Sequence, residues 1–419
     1  MGLVRTSLLN GIAVVVKMGT GLVLNKVIAV YVGPTGYAII GQLQNLISIV
    51  STFAAGAVNT GVIKYTAEFS AEPIKLRSLW QTAGTITISG SLLVGLVLAS
   101  FRNDLAVWLL GDARHSPALG WLAVCLIFIS LNALLLAILA GQKDVRRYIV
   151  ASIAGSFVGL GLSTFLAWRF GLTGVLVALS ATQAISCFAT LIICRNLYWC
   201  RMEYLWGAVD VKVARKLSRF IFMALTTAAA VPVTQIFVRT FIGDTFGVTY
   251  AGYWDAINKI SIIYLTLVTT TLSLYYLPRI SEIKKPCELR QEIWYCFKII
   301  FPLTVAASTF LYVVRVPLVG FLFSDEFQPM AGLMGWQVIG DVLKISSWLL
   351  AYVVIGKGMS TIFVVTEVLF SISLYLITVF LSKLIGIDGI TAAYALNYAF
   401  YLTTMYWLVL IRPQRPGIN

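Results

Sequence analysis

Apolar runs of about 18 residues or more recur from one end of the chain to the other, and each can cross a hydrocarbon core of about 30 Å as a helix. Only 11% of the 419 residues are charged, which is about half the share found in soluble domains. The sequence therefore predicts an all-α polytopic membrane protein. The predicted spans are 7–32, 37–65, 78–101, 118–140, 148–168, 174–194, 218–241, 249–278, 293–314, 331–356, 361–382 and 388–411.

Lys and Arg residues favour the cytoplasmic side of a membrane, and most of the 31 in this chain fall in loops on one side of the predicted spans. The KDVRR run at 143–147 and the basic residues of 195–217 both lie on that side. This distribution predicts that both termini are cytoplasmic. The formal net charge of +14 is then a topology signal, so no nucleic-acid partner is expected.

The two halves of the chain share a plan. Shifted by 213 residues, YAIIGQLQNLISI (37–49) matches YAGYWDAINKISI (250–262) at six of thirteen positions, and Lys26 aligns with Arg239. This repeat predicts two pseudo-symmetric lobes of six helices each. The predicted boundaries are 1–194 for the N-lobe, 195–217 for a cytoplasmic linker and 218–419 for the C-lobe.

The same shift aligns Gly19 in the first span with Pro232 in the seventh. Proline removes a backbone hydrogen bond and bends a helix, so both positions are candidate hinges, although many packed membrane helices contain proline without moving. The Gly-Pro-Thr-Gly sequence at 33–36 predicts a tight external turn between the first two spans.

Polar side chains form one stripe on each of spans 1, 2 and 8 when residues are placed every 100° around a helix. Such stripes indicate either a shared hydrophilic cavity or hydrogen bonds between packed membrane helices, and their length favours the cavity. The stripe residues include Lys17 in span 1, Gln42, Asn45 and Asn59 with nearby Lys64 in span 2, and Asp255, Asn258 and Lys259 in span 8.

The charged residues inside the spans sharpen this interpretation, because a lysine near the bilayer centre costs about 2.5–3.5 kcal/mol. Lys17 lies roughly 15 Å deep at 1.5 Å per residue, so it should meet water, an acid or an anionic ligand. Lys26 and Arg239 lie near the external ends of their spans, where they either face the cavity or snorkel to the interface. Asp255 and Lys259 are one turn apart and predict an ion pair, which is either structural or a gate that frees Lys259.

Asp341 and Lys344 in span 10 are spaced for a similar pair, and the lack of a polar stripe around them favours a structural role. Glu367 lies just inside span 11, where it either reaches the interface or carries a proton. Asp255 and Glu367 are therefore the candidate coupling residues.

Several function classes are excluded. The external loops are too short for an enzymatic pocket, and the sequence has no P-loop, no G-x-S-x-G elbow and no acidic motif for magnesium-pyrophosphate chemistry. No C-x-x-C pair occurs and the single histidine, His115, has no companion ligand, so neither a metal site nor a cofactor is expected.

Three segments carry a family likeness: NKVIAVYVGPTGYAIIGQLQNLISIV (25–50), NTGVIKYTAE (59–68) and WQVIGDVLK (336–344). They resemble the Wzx-type flippases for lipid-linked O-antigen and enterobacterial common antigen, in the superfamily of multidrug, oligosaccharidyl-lipid and polysaccharide exporters. The resemblance extends over essentially the whole chain. It implies twelve transmembrane helices around a central cationic cavity, lined mainly by spans 1, 2, 7 and 8, in the bacterial inner membrane.

The resemblance also implies the substrate, an oligosaccharide on undecaprenyl pyrophosphate that moves from the cytoplasmic to the periplasmic leaflet by alternating access. Its implied partners are membrane lipid, a polysaccharide polymerase and a chain-length regulator. An ion-coupled multidrug exporter, a peptidoglycan-precursor flippase and a scaffold for polymer assembly are the alternatives, and a cationic cavity disfavours cationic drugs. The implied substrate-binding residues are Lys17, Lys26, Gln42, Asn45, Asn59, Lys64, Arg239, Asp255, Asn258 and Lys259.

Overall fold

A computed structural model describes residues 3–55, 58–283 and 285–411, and no β-strand occurs among them. In the first part of the chain the helices are α1 (Leu3–Ala54), α2 (Asn59–Glu68), α3 (Pro73–Ser100), α4 (Arg102–Leu110), α5 (Ser116–Gly141), α6 (Val145–Cys194) and α7 (Met202–Leu205). They continue as α8 (Val211–Phe246), α9 (Val248–Thr271), α10 (Leu277–Glu282), α11 (Pro286–Val313), α12 (Arg315–Leu322), α13 (Met330–Gly356), α14 (Ser360–Ile385) and α15 (Asp388–Tyr406).

Within this described part of the chain, 7 helical stretches are long and apolar enough to cross a membrane, which confirms a multi-pass helical protein. Two of these stretches, Val14–Ala54 and Val145–Cys194, have 41 and 50 residues, about twice the ~20 that one crossing needs. Each bends at a glycine with positive φ, Gly33 at 69° and Gly171 at 55°, a conformation that glycine adopts without steric cost. Each stretch is therefore two helices joined by a kink.

The second predicted span, over 37–65, is not one continuous helix. Helix α1 ends at Ala54 and α2 begins at Asn59. Near the matching point of the second half, α9 ends at Thr271 and five residues of π-helix follow from Leu272. The 213-residue shift aligns Leu272, where the π-helix begins, with Asn59, where α2 begins, so the two irregularities lie side by side in the alignment and do not coincide.

The chain divides into two compact units, Met1–Val233 and Thr234–Asn419. The division falls inside α8, one residue after Pro232. Residues 218–233 of α8, assigned to the C-lobe from sequence, fall in the first unit by this division. In the first unit the core surrounds Trp80 and Trp199, and in the second it surrounds Leu272 and Leu349.

The predicted linker is packed against α3 along much of its length. Its backbone forms hydrogen bonds with three α3 side chains: Gln81 Nε2 donates to the Glu203 carbonyl at 2.7 Å, Thr85 Oγ1 donates to the Gly207 carbonyl at 3.0 Å, and Asp210 N donates to Thr82 Oγ1 at 3.1 Å. Gly84 allows this approach, since a Cβ there would stand 1.8 Å from the Leu205 carbonyl oxygen. At the end of the segment, the backbone N–H of Lys212 holds the pKa of the Asp210 carboxyl below its usual range.

Candidate functional site

The second unit contains a buried ion pair between α8 and α9. Arg239 Nε and Nη2 donate to the two carboxylate oxygens of Asp255, each at 2.6 Å. Arg239 is 3% exposed and Asp255 6%, and the guanidinium also lies 5.6 Å from the centre of the Trp254 ring. This planar, two-pronged contact is the strongest form of arginine–carboxylate pair.

The structure shows where the side chain of Arg239 lies. It is buried in the ion pair, so the snorkelling alternative from the sequence does not hold for it. Sequence spacing linked Asp255 to Lys259 because helical periodicity relates only neighbours on one helix, whereas Arg239 lies 16 residues away on the preceding helix. Lys259 is half-buried one turn beyond Asp255.

A second buried carboxylate, Asp341 of α13, is the centre of a hydrogen-bond network. It is 0% exposed and accepts from Ser261 Oγ at 2.6 Å, Tyr264 OH at 2.8 Å and Tyr394 OH at 2.8 Å. Tyr264 also contacts Ser308 Oγ at 3.0 Å. Three helices, α9, α13 and α15, thus meet at one carboxylate, with α11 joined through Tyr264, and three hydroxyl donors offset the desolvation of the carboxylate.

Lys344, three residues after Asp341, faces aromatic rings. Its ammonium nitrogen lies 5.1 Å from the ring centre of Trp348, 5.3 Å from that of Tyr398 and 5.7 Å from that of Tyr394, within the range of cation–π attraction. In the described part of the chain, Asp341 and Lys344 form no direct ion pair, so the predicted pair is replaced by this network. Glu367 of α14 is half-buried and interacts electrostatically with Lys344.

Asn258, one of the predicted substrate residues, belongs to the same polar region. Gln337 Nε2 donates to Ser261 Oγ at 3.2 Å and to Asn258 Oδ1 at 3.4 Å, which connects Asn258 to the residues around Asp341. Among the described residues, Asn258 Nδ2 has no hydrogen-bond partner. It is therefore a buried donor whose hydrogen bond is not satisfied by the described residues.

In the first unit the predicted site residues differ in their exposure to solvent. Lys17 and Lys64 are exposed, and the Lys64 ammonium lies 5.5 Å from the ring centre of Tyr65. The remaining predicted residues are less accessible: Lys26, Asn45 and Asn59 are half-buried and Gln42 is buried. The hinge candidate Gly19 has open space where a side chain would be, because no atom of the described residues lies within 4 Å of the position that a Cβ would take.

The first unit also encloses a polar cavity of about 240 Å³ where α1 ends and α2 begins. Asn59 of the predicted stripe lines it, together with polar residues that the sequence analysis did not single out. The full lining is Ser51, Thr52, Ala55, Asn59, Ile129, Ser130, Asn132, Ala133, Leu136 and Gln183. Ser130, Asn132 and Gln183 of this lining come from α5 and α6. Their proximity to Asn59 could be predicted only by knowing which helices pack together.

Comparison with solved structures identifies the fold class. The chain aligns with an inward-facing multidrug resistance transporter of the MATE family at a TM-score of 0.76, with 14% identity and 94% of each chain covered. It aligns with the lipid II flippase MurJ in an inward closed conformation at a TM-score of 0.75, with 14% identity, covering 98% of this chain and 88% of that one. The fold is therefore that of MATE- and MurJ-type transporters.

The family follows from the sequence comparisons. The family model described as polysaccharide biosynthesis protein matches residues 15–332, and the chain belongs to that family. Among curated proteins, it is 28% identical to the lipid III flippase of Escherichia coli (strain K12) over 416 residues, which covers 99% of this chain and 100% of that protein. The same values hold for the lipid III flippase of Shigella flexneri.

Proposed function

We propose that this protein is a flippase that moves an oligosaccharide linked to undecaprenyl pyrophosphate from the cytoplasmic to the periplasmic leaflet. The observation that carries the proposal is the end-to-end similarity to lipid III flippases, which covers 99% of this chain and 100% of the relative. Such a protein translocates its substrate without chemical change. The proposed location is the bacterial inner membrane, with both termini in the cytoplasm.

The fold by itself supports two kinds of transporter, because TM-scores of 0.76 and 0.75 link it about equally to a multidrug transporter and to a lipid flippase. The sequence relatives separate the two. The relatives from Escherichia coli and Shigella flexneri are both flippases, and the family is one of polysaccharide biosynthesis. An ion-coupled drug exporter is therefore the second candidate, and it rests on fold likeness alone.

The substrate sets physical requirements that the proposed site residues meet. A pyrophosphate and several sugars must cross about 30 Å of hydrocarbon, while the polyprenyl tail stays in lipid. Lysine binds phosphate as a point charge, so we assign the pyrophosphate to Lys17, Lys64 and Lys259. The proposal includes the arrangement expected from sequence, with twelve spans in two lobes and a cationic cavity lined by spans 1, 2, 7 and 8. Lys26, Gln42, Asn45, Asn59 and Asn258 are the remaining proposed substrate contacts.

Arg239 has a different role in this proposal. Its guanidinium contacts Asp255 and Trp254, so the pair fixes α8 against α9 and thereby positions Lys259. Removing one partner of such a buried pair costs about 3–5 kcal/mol. The pair therefore serves as a rigid support beside the substrate lysines.

Alternating access requires helices that bend, and the proposed hinges are Gly19 and Pro232. The division of the chain one residue after Pro232 supports the second hinge. For energy coupling we favour Glu367 over Asp255, because Asp255 is committed to Arg239, whereas Glu367 is half-buried beside Lys344. A polymerase and a chain-length regulator are the proposed protein partners.

Complementation of a bacterial strain that lacks its own lipid-linked oligosaccharide flippase tests the function. Wild type, Lys17→Ala and Lys259→Ala are compared, with Lys298→Ala of α11 as the matched control lysine outside spans 1, 2, 7 and 8. Surface polysaccharide and lipid-linked precursor are measured, and immunoblots of membranes check protein levels. We expect wild type and Lys298→Ala to restore the polysaccharide, while the other two variants accumulate precursor. If wild type fails to restore export, the proposed function is wrong; if all variants export equally, the lysines do not bind pyrophosphate.

A further inference from the structure

The polar cavity between α1, α2, α5 and α6 has a lining that suits one kind of ligand. It is bordered by amides and hydroxyls, including Asn59, Ser130 and Asn132, and on other sides by aliphatic groups such as Ile129 and Leu136. No Lys, Arg, Asp or Glu is among the lining residues. We infer that this cavity is a sugar subsite, which takes one sugar residue of the lipid-linked substrate; the inference rests on the proposed function.

The chemistry of the lining favours a sugar over the pyrophosphate as the occupant of the cavity. A sugar ring presents hydroxyls that both donate and accept, and C–H faces that pack on aliphatic side chains. The amides and hydroxyls of the lining can form hydrogen bonds with the sugar hydroxyls. Ile129, Ala133 and Leu136 can pack against the C–H faces of the ring. A pyrophosphate is bound most strongly by cationic side chains, and the lining has none. The cavity and the lysines would thus bind different parts of one substrate.

Unsatisfied polar atoms are the second observation. Ser130 is 1% exposed, and its Oγ has no hydrogen-bond partner among the described residues. Asn59, which also lines the cavity, has a buried Oδ1 with no hydrogen-bond partner among the described residues. A buried polar atom left without a partner costs about 1–3 kcal/mol. Each of these two atoms would gain a partner from a ligand hydroxyl once the lining opens enough to admit it.

Polar residues in membrane helices also serve to hold helices together, and the neighbouring Asn132 shows that role. Its Oδ1 accepts from Thr190 Oγ1 at 2.7 Å, which connects α5 to α6. Ser130 lies on α5 two residues earlier and makes no such contact in the described structure. Helix packing therefore accounts for Asn132 and leaves Ser130 to be explained by a ligand.

The size of the cavity agrees with this occupant. Its volume of about 240 Å³ corresponds to about eight water molecules at roughly 30 Å³ each, which is room for a single sugar ring. The rim includes Gln183, which is exposed, while Ser130 is fully buried. The lining thus extends from the surface of the unit to its interior.

Two variants make a matched test because each removes only a buried hydroxyl. Ser130→Ala deletes the unpartnered Oγ in the cavity, whereas Ser180→Ala deletes a buried hydroxyl that donates to the Val177 carbonyl of its own helix at 3.1 Å. Purified full-length protein in nanodiscs is titrated with two probes, undecaprenyl pyrophosphate and undecaprenyl-pyrophosphoryl-N-acetylglucosamine. Native mass spectrometry reads both affinities, and thermal unfolding of each variant is recorded in parallel.

We expect wild type to bind the glycosylated probe more tightly than the bare one, and Ser130→Ala to reduce that preference about five-fold, as expected for one lost neutral hydrogen bond. Affinity for bare undecaprenyl pyrophosphate should not change, and Ser180→Ala should behave as wild type. The inference is overturned if Ser130→Ala keeps the preference, if it weakens both probes equally, or if wild type prefers neither, in which case the cavity holds water. If wild type binds neither probe, the proposed function itself fails.

Discussion

The two units of this protein bury different kinds of polar side chain. The described second unit buries ionisable side chains, with Asp255 bonded to Arg239 and Asp341 bonded to three hydroxyls. The first unit surrounds its cavity with neutral amides and hydroxyls. Neutral polar groups tolerate an exchange of ligand for water, whereas a buried charge must keep its partners. The difference suggests that the first unit can exchange contacts while the second is held by fixed ones.

The repeat shows where the difference arose. The 213-residue shift aligns Arg239 with Lys26 and Asp255 with Gln42, so the cation is kept in both halves while the acid has a neutral amide as its counterpart. Arginine and lysine are not equivalent in such positions, since only arginine makes the two-pronged contact with a carboxylate. The difference at one repeat position therefore distinguishes an arginine that faces a carboxylate from a lysine whose aligned counterpart is a neutral amide.

The largest expected effect comes from breaking the ion pair between Arg239 and Asp255. Arg239→Met should lower the free energy of unfolding by about 3–5 kcal/mol, because Asp255 would remain buried without its countercharge. Lys26→Met at the matching position should cost much less, since its counterpart Gln42 is neutral. Thermal unfolding in detergent, followed by tryptophan fluorescence, measures both. The double variant Arg239→Met with Asp255→Leu should recover much of the loss, and failure to recover would show that the pair contributes through packing instead.

A smaller effect is expected at Asp341. Asp341→Leu removes the acceptor of three hydroxyls, but Tyr264 keeps its contact with Ser308, and Ser261 keeps the amide of Gln337. Only Tyr394 loses its one described partner, so we expect a loss of about 2–3 kcal/mol. The same unfolding measurement applies, with Asp341→Asn as the control that retains a carbonyl acceptor. Equal losses for both variants would mean that the network depends on the charge of Asp341 and not on its acceptor atoms.

The smallest expected effect tests whether the linker is part of the first unit. Gly84→Ala would place a Cβ 1.8 Å from the Leu205 carbonyl oxygen, so the linker must move away at a cost of about 1–3 kcal/mol. Limited proteolysis should then cut the segment between Arg201 and Val211 faster than in wild type. Gly21→Ala, where a Cβ meets no atom within 4 Å, is the control. Unchanged cleavage in Gly84→Ala would show that the linker is not held by α3.

Sequence reasoning captured the features that depend on neighbours along the chain. The apolar runs predicted a multi-pass helical protein, and the Gly-Pro-Thr-Gly sequence marked the kink at Gly33. It also named Asn59, which lines the cavity. These features follow from hydropathy, helical periodicity and glycine geometry, which are local properties.

What the sequence missed depends on which helices pack together. The donors to Asp341 are 53 to 80 residues away, on helices whose neighbours no motif specifies. The same holds for Ser130 and Gln183, which meet Asn59 only after α5 and α6 pack beside α2. The break after Ala54 was missed for another reason, because an apolar run does not reveal whether its helix is continuous.

Helix α8 has a mechanical consequence for the whole chain. The segment before it is bonded to α3 up to Asp210, and α8 then runs from Val211 through the unit boundary to Phe246 without an intervening loop. The two halves are therefore connected by a continuous helix and not by a slack loop. Each residue inserted into α8 would rotate the following residues of that helix by about 100° about its axis, so the length of α8 determines which of its faces carries Arg239.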